Sequence, residues 1–182
     1  VLVPAELPEP RVPLRNNQIW VYEQVEDSCF INAMVGWGKT FSALHTIKKL
    51  GQKALIIVHT IALRNQWAQE VEKLFGFTPG IIGSGEYDID SPIVIGNTQS
   101  LIKYIDEIAD KFGTVIVDEA HHCPSTTFTV LLNKMKARYR IGLSGTLKRK
   151  DGKHVLFSDY FSNRVYIPEL LGETMTPTVQ II

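Results

Sequence analysis

Lys39 and Thr40 close the segment Ala33-Met34-Val35-Gly36-Trp37-Gly38-Lys39-Thr40, and an acidic pair begins the downstream segment Asp118-Glu119-Ala120-His121. The first segment has the residue types of a phosphate cradle. Gly36 and Gly38 let backbone N–H groups turn inward without a Cβ in the way, and a helix N-terminus behind them adds partial positive charge. Lys39 would reach β- and γ-phosphates, and the Thr40 hydroxyl would ligate Mg²⁺. The general fingerprint G-x-x-x-x-G-K-[ST] asks for Gly at its first position. This chain has Ala33 there, the smallest residue that keeps a Cβ, and a backbone with φ < 0 accepts it. The bland reading is a glycine turn before an ordinary helix. The acidic pair supplies the other half of a hydrolytic chemistry, because one carboxylate offsets a metal's charge while the other handles the proton of an attacking water. Asp118 is then the metal-binding group, acting through water, and Glu119 orients or deprotonates the attacking water. The bland reading of this pair is an acidic strand end that caps the next helix.

These groups work only if a scaffold presents them. Cys29-Phe30-Ile31-Asn32 predicts a short strand leading into the loop, and Phe41, Leu44, Ile47 and Leu50 recur at a spacing that predicts an amphipathic helix leading out. Thr114-Val115-Ile116-Val117 predicts a strand buried on both faces. It leaves Asp118 and Glu119 at a strand's carboxyl end, where open α/β sheets bind ligands. Strands are predicted near 29–33, 54–58, 80–82, 93–96, 114–118 and 139–144. Helices are predicted near 17–25, 39–50, 61–75, 99–111 and 125–136. This alternation predicts an α/β fold with a mainly parallel sheet and helices on both faces. Residues 1–13, with Pro4, Pro8, Pro10 and Pro13, read as an extended lead-in, 14–168 as the nucleotide-binding domain, and 169–182, interrupted by Gly172 and Pro177, as an exit linker.

At 182 residues with 45% hydrophobic content the chain has the size and composition of one folded domain. No apolar run reaches the ~18 residues of a membrane span, so no membrane association is expected, and the first residues lack a secretory pattern. A chain starting at Val1 is expected to be trimmed from a longer one. Cys29 and Cys123 are too few and too far apart for a zinc or disulfide pattern. Cys29 reads as core, and a reducing cytoplasm is the expected compartment. Lys+Arg and Asp+Glu are both 19. Zero net charge is unlike a stand-alone nucleic-acid binder but leaves room for local basic patches that contact phosphate.

With both motifs in view, the chain resembles the first RecA-like domain of a superfamily 2 helicase or translocase with a DEAH box. Asp118-Glu119-Ala120-His121 matches that box letter for letter, and these families often write their phosphate loop A-x-x-G-x-G-K-T, as Ala33–Thr40 does. Leu14-Arg15-Asn16-Asn17-Gln18 resembles their L-R-x-x-Q segment, which implies that Gln18 reads the adenine edge. The run from Ile56 to Trp67 resembles V-P-T-x-x-L-x-x-Q-W, with His59 in place of Pro, and Asn97-Thr98-Gln99-Ser100-Leu101 resembles the next backbone-contacting segment. The resemblance thus implies nucleic-acid contacts at Thr60, Arg64, Thr98, Gln99 and Ser100. Arg64 reads equally well as cover for the helix surface. Ser144-Gly145-Thr146 resembles the S-A-T segment that couples nucleotide and nucleic-acid sites, with Gly145 replacing Ala, and His121 is the implied link to Ser144 and Thr146. The continuation Leu147-Lys148-Arg149-Lys150-Asp151-Gly152 is similar to T-P-x-R-x-D-G of XPB-like and phage repair helicases and restriction-enzyme helicase subunits. The basic run Lys148-Arg149-Lys150 with Lys153 reads as solvated surface or as a nucleic-acid contact.

The resemblance covers residues 12–155 and implies ATP and Mg²⁺ as cofactors, with Val35, Gly36, Trp37, Gly38, Lys39, Thr40 and Gln18 binding the nucleotide. Trp37, between the loop glycines, is expected to be partly exposed and to report nucleotide binding optically. Trp67 and Phe75, eight residues apart, read as core. In such proteins ATP lies between two lobes, and the second supplies arginines worth about 10³–10⁵ in rate. No segment after residue 155 reads as such a lobe, so this polypeptide alone is expected to bind ATP weakly, hydrolyse it very slowly and unwind nothing. The implied partners are nucleic acid, DNA ahead of RNA, and a second RecA-like domain of the full-length chain. A stand-alone nucleotide-dependent nucleic-acid-binding module without catalysis is the alternative. A P-loop kinase or small GTPase is disfavoured by the acidic box, by Ser144-Gly145-Thr146 and by the lack of N-K-x-D.

Overall fold

The computed structural model describes residues 1–34, 36–120, 126–145, 161 and 164–168, and the backbone of Val179–Ile181. Among these the elements run α1 (Asn16–Gln24), β1 (Cys29–Asn32), α2 (Lys39–Leu50), β2 (Ala54–Val58), α3 (Ile61–Phe75), β3 (Gly80–Gly83), β4 (Glu86–Tyr87), β5 (Ile93–Asn97), α4 (Thr98–Leu101), a 3₁₀ turn at Ile102–Tyr104, α5 (Ile105–Ile108), β6 (Thr114–Val117), α6 (Thr126–Lys134), β7 (Tyr139–Ser144), β8 (Arg164–Tyr166) and β9 (Val179–Ile181). The strands form one sheet in the order β4-β3-β5-β2-β6-β7-β1-β8-β9. All neighbouring pairs are parallel except the outermost at each edge, β3 with β4 and β8 with β9.

The strand side chains divide between two cores because successive residues face opposite sides. Ile31, Ala54, Ile56, Val58, Ile116 and Ile141 pack with Val21 of α1, Ile47 of α2 and Trp67 and Val71 of α3. Phe30, Leu55, Ile57, Val115 and Val117 pack on the other face with Leu101, Ile108, Leu131 and Leu132. A sheet covered on both sides explains the unbroken apolar runs of β2 and β6. The mainly parallel α/β architecture expected from the alternation is the one observed.

Some elements differ from expectation. The single helix expected over 99–111 is α4, a 3₁₀ turn and α5 in succession, and the break falls where Tyr104 packs against Tyr87 at 4.6 Å between ring centroids. β4, β8 and β9 have only two or three residues each, too few for a period to register. β9 lies within the stretch read as an exit linker. The Pro-rich lead-in is extended but fastened: Ala5 N–H donates to Gly51 O at 2.9 Å, Lys53 N–H to Val3 O at 2.7 Å and Arg11 N–H to Leu74 O at 2.8 Å. His45 Nε2 lies 3.0 Å from Val12 O. The lead-in therefore ends against α2 and α3, next to the phosphate loop.

Candidate nucleotide site and nucleic-acid face

Strand order decides which motifs meet. β6, β7 and β1 are neighbours, so Asp118, Ser144 and Ala33 leave adjacent strand ends on the same edge of the sheet. Asn32 is in register with Ser144 and Val117 with Gly142. Ala33 N–H donates to Ser144 O at 2.9 Å. A Cβ added at Gly145 would lie 2.9 Å from Ala33 O and 3.3 Å from Lys39 Nζ. The glycine that replaces the usual Ala thus allows the phosphate loop to approach.

The loop turns through Gly36 and Gly38, both left-handed at φ 93° and φ 88°. Gly38 is the N-cap of α2 and no side chain caps that helix, so its first N–H groups remain available to an anion. Lys39 Nζ donates to Ala33 O at 2.8 Å, folded back on the loop it would leave to meet a phosphate. From outside, Gln18 Nε2 donates to Trp37 O at 2.7 Å and to Gly38 O at 3.4 Å, while Gln18 Oε1 accepts from Arg15 N–H at 2.8 Å. Arg15 Nη2 donates to Gly36 O at 3.2 Å and also to Trp37 O. Arg15 and α1 thereby hold the carbonyls of Gly36, Trp37 and Gly38, while Trp37 N–H donates to Met34 O at 3.2 Å within the loop. Gln18, 2% exposed, has its amide largely committed to this task, with one Oε1 lone pair left for a ligand. Beside it lies a pocket of about 380 Å³ lined by Val12, Pro13, Arg15, Gln18, Gly38, Thr40, Phe41, Gln66 and Glu70, a volume suited to a nucleobase and ribose.

Trp37 corrects an expectation. It is 5% exposed and packed into the core on the α1–α3 side, with Nε1 buried and unpartnered among the described residues. The left-handed glycines on both sides turn its indole inward, so its value as an exposed optical reporter is lost.

Asp118 is 8% exposed. Its Oδ2 accepts from Trp67 Nε1 at 2.8 Å and its Oδ1 from Glu119 N–H at 2.9 Å. Burial raises its pKa, an effect opposed by these two hydrogen bonds and by the charge of Lys39 and reinforced by that of Glu119. Glu119 has a left-handed backbone at φ 51°, and its Oε2 lies 3.7 Å from His59 Nε2. Thr40 and Asp118 are too few to cage a metal, and no group of three or more His, Cys, Asp or Glu suited to a metal occurs among the described residues. A sparse oxygen set of this kind suits Mg²⁺, which keeps several waters and takes its remaining ligands from phosphates. Val35, His121 and Thr146, with the basic run Lys148–Lys153, lie outside the described residues.

The residues expected to meet nucleic acid lie on the same edge, beyond His59. Thr60 is exposed and its Oγ1 accepts from Leu63 N–H at 3.1 Å, capping α3. Thr98 is buried, Gln99 exposed and Ser100 half-buried. Arg64 is not surface cover: it is 6% exposed, Nη2 donates to Ser84 Oγ at 3.1 Å, and Nε and Nη1 have no partner among the described residues. The point where a Gly83 Cβ would sit is 2.6 Å from Arg64 Nη1 and from Asn97 Oδ1 and 3.0 Å from Ser100 Oγ, so these groups converge. The sequence singled out neither Ser84 nor Trp67 for this site; each acts through a contact 20 or 51 residues away.

Residues 12–149 match the family described as type III restriction enzyme, res subunit, and the chain belongs to that family: it is an N-terminal ATPase domain of the superfamily 2 helicase type. It is 50% identical over 179 residues to the probable helicase D10 of Escherichia phage T5, an alignment covering 98% of this chain and 40% of that protein. It is 37% identical over 141 residues to the DNA 3'-5' translocase XPB2 of Sulfurisphaera tokodaii, covering 76% of this chain and 32% of the other. The UvsW helicase of bacteriophage T4 shares its fold, with a TM-score of 0.75 at 23% identity over 91% of this chain and 64% of that one. The architecture is therefore RecA-like. The chain spans less than half the length of the two curated relatives. No helix among the described residues is long and apolar enough to cross a membrane.

Proposed function

We propose that this chain is the N-terminal motor domain of an ATP-dependent DNA helicase or translocase of the DEAH-box type, and that it binds Mg-ATP and the nucleic-acid backbone. The observation that carries the reading is that Ala33, Ser144 and Asp118 leave three adjacent strand ends, with Lys39 Nζ at the start of α2 bonded to Ala33 O. In this reading residues 14–168 form the domain, 1–13 the lead-in and 169–182 the path to a second RecA-like lobe, and the protein works in the cytoplasm of a bacterial or phage-infected cell.

The base and ribose enter the pocket beside Gln18, and the triphosphate lies over the N–H groups of the loop and the start of α2. Lys39 leaves the Ala33 carbonyl and pairs with the β- and γ-phosphates. Thr40 and Asp118 would hold Mg²⁺, which would supply charge to offset that on the phosphate oxygens. Glu119 orients the attacking water and accepts its proton. His121 and Thr146 join Ser144 in relaying nucleotide state toward Thr60, Arg64, Thr98, Gln99 and Ser100, which grip phosphates without reading sequence. DNA is favoured because the relative from Sulfurisphaera tokodaii is described as a DNA translocase. Arginines of the second lobe complete the hydrolytic site, so the chain alone turns over slowly.

Calorimetric titration with Mg-ATP, wild type against Lys39→Ala, tests the reading. Binding lost in the variant is the expected result. Equal binding by both folded proteins overturns the phosphate-loop assignment.

A further inference from the structure

We infer that Trp67 is a positioning residue of the magnesium site: its indole N–H fixes the rotation of the Asp118 carboxylate and so sets the affinity of the bound nucleotide for the metal. The inference rests on the nucleotide reading above and deepens it.

The geometry is closed on two sides. Trp67 is 1% exposed and wedged into the core between α3 and the sheet, so its ring cannot turn. It donates to Asp118 Oδ2 at 2.8 Å. Oδ1 is held by Glu119 N–H at 2.9 Å, a donor on the main chain. A carboxylate with one donor on each oxygen has no free rotation about its terminal torsion. One lone pair on each oxygen is left for a ligand. The arrangement answers a physical need. A magnesium ion demands near-ideal octahedral placement of its ligands or of their bridging waters, and a short acidic side chain at the end of a strand meets that demand only when its plane is set in advance.

Packing alone does not account for the contact. A phenylalanine would fill most of the same space without placing a donor beside a buried carboxylate. Trp37 shows that this core accepts a buried indole whose N–H has no partner among the described residues, so the chain did not have to supply an acidic partner merely to bury a tryptophan. Trp67 also sits one turn beyond Arg64 on α3. The orienting donor therefore belongs to the helix whose first turns carry Thr60 and Arg64.

Two measurements test this on the chain itself. The first is ATP affinity by calorimetry with and without Mg²⁺, for wild type, Trp67→Phe and Lys39→Ala. Trp67→Phe is expected to leave Mg-free binding unchanged and to reduce the gain conferred by Mg²⁺ by about tenfold, the low end of losses seen when an outer-shell partner of a metal ligand is removed. A folded Trp67→Phe protein with the full Mg²⁺ gain overturns the inference. If Lys39→Ala binds as well as wild type, the nucleotide reading has failed instead, so the two failures are distinct. The second needs no folded variant: in ¹⁵N-labelled wild type, the indole N–H resonance of Trp67 is expected to move when Mg²⁺ is added to the nucleotide complex, with that of Trp20, packed against Tyr166 outside the loop, as reference. A Trp67 resonance that does not respond to the metal also overturns it.

Discussion

Gly36 and Gly38 are both left-handed, yet replacing each with alanine should have different consequences. At Gly36 an added Cβ meets nothing within 4 Å, so Gly36→Ala carries only the left-handed backbone penalty of about 1–2 kcal/mol. At Gly38 the added Cβ would lie 2.3 Å from Gln18 Nε2 and 3.2 Å from Arg15 Nη2. The Gln18 amide must then swing away and lose its bonds to Trp37 O and Arg15 N–H. Two hydrogen bonds at about 1 kcal/mol each bring the total for Gly38→Ala to about 3–4 kcal/mol. For a domain of this size, 1 kcal/mol moves Tm by about 2–4 °C. Gly36→Ala should therefore lower Tm by about 5 °C and Gly38→Ala by about 10 °C. Placing Gly38→Ala in a Gln18→Ala background should reduce its cost to that of Gly36→Ala, a coupling of about 2 kcal/mol in a double-mutant cycle read by urea unfolding. Additivity within about 0.5 kcal/mol would refute the idea that Gln18 braces the loop.

Arg64→Met should weaken DNA binding and lower the slope of log K against log salt by about 1, measured by fluorescence anisotropy across a salt series; an unchanged slope would assign Arg64 to packing alone. Burial pushes the Cys29 thiol up to about 12, so mass-spectrometric mapping after brief alkylation at pH 8 should find Cys29 unmodified in the native protein and modified once it is unfolded. Arg138 donates to Asp27 Oδ1 at 2.7 Å and holds that carboxyl below its usual range. A depressed folded-state pKa means that stability from this pair is present above the ordinary carboxylate pKa and is lost as pH falls through the lowered one. Arg138→Met should therefore flatten the acid limb of the stability curve, a small effect at this exposed pair that salt screens further; an acid limb identical to that of wild type would count against it.

The candidate site was legible wherever one short segment carries both its chemistry and its local geometry. Cys29–Thr40 announces a strand, a glycine turn and a helix N-terminus in twelve letters, and Thr114–Glu119 announces a buried strand with carboxylates at its end. Such signals survive because backbone preference and burial pattern are local. The long helices and six of the strands were legible for the same reason, since they repeat their period several times. β4, β8 and β9 were not, because two or three residues are extended only by virtue of the strand beside them.

Contacts between segments were decided by the tertiary structure. The sequence determined that a glycine turn at residues 33–40 leads into a helix, that Asp118 and Glu119 end a buried strand, and that the fold is α/β. It did not determine that Trp37 turns into the core while Trp67, read as core alone, donates to Asp118 from 51 residues away. Nor did it determine that Arg64 is buried among Gly83, Ser84 and Asn97, or that Gln18 spends its amide on the phosphate loop. The physical reason is that an indole N–H, a guanidinium or an amide takes whichever acceptor the packed sheet brings within 3 Å, and the order of strands, which no single segment encodes, sets which acceptors those are.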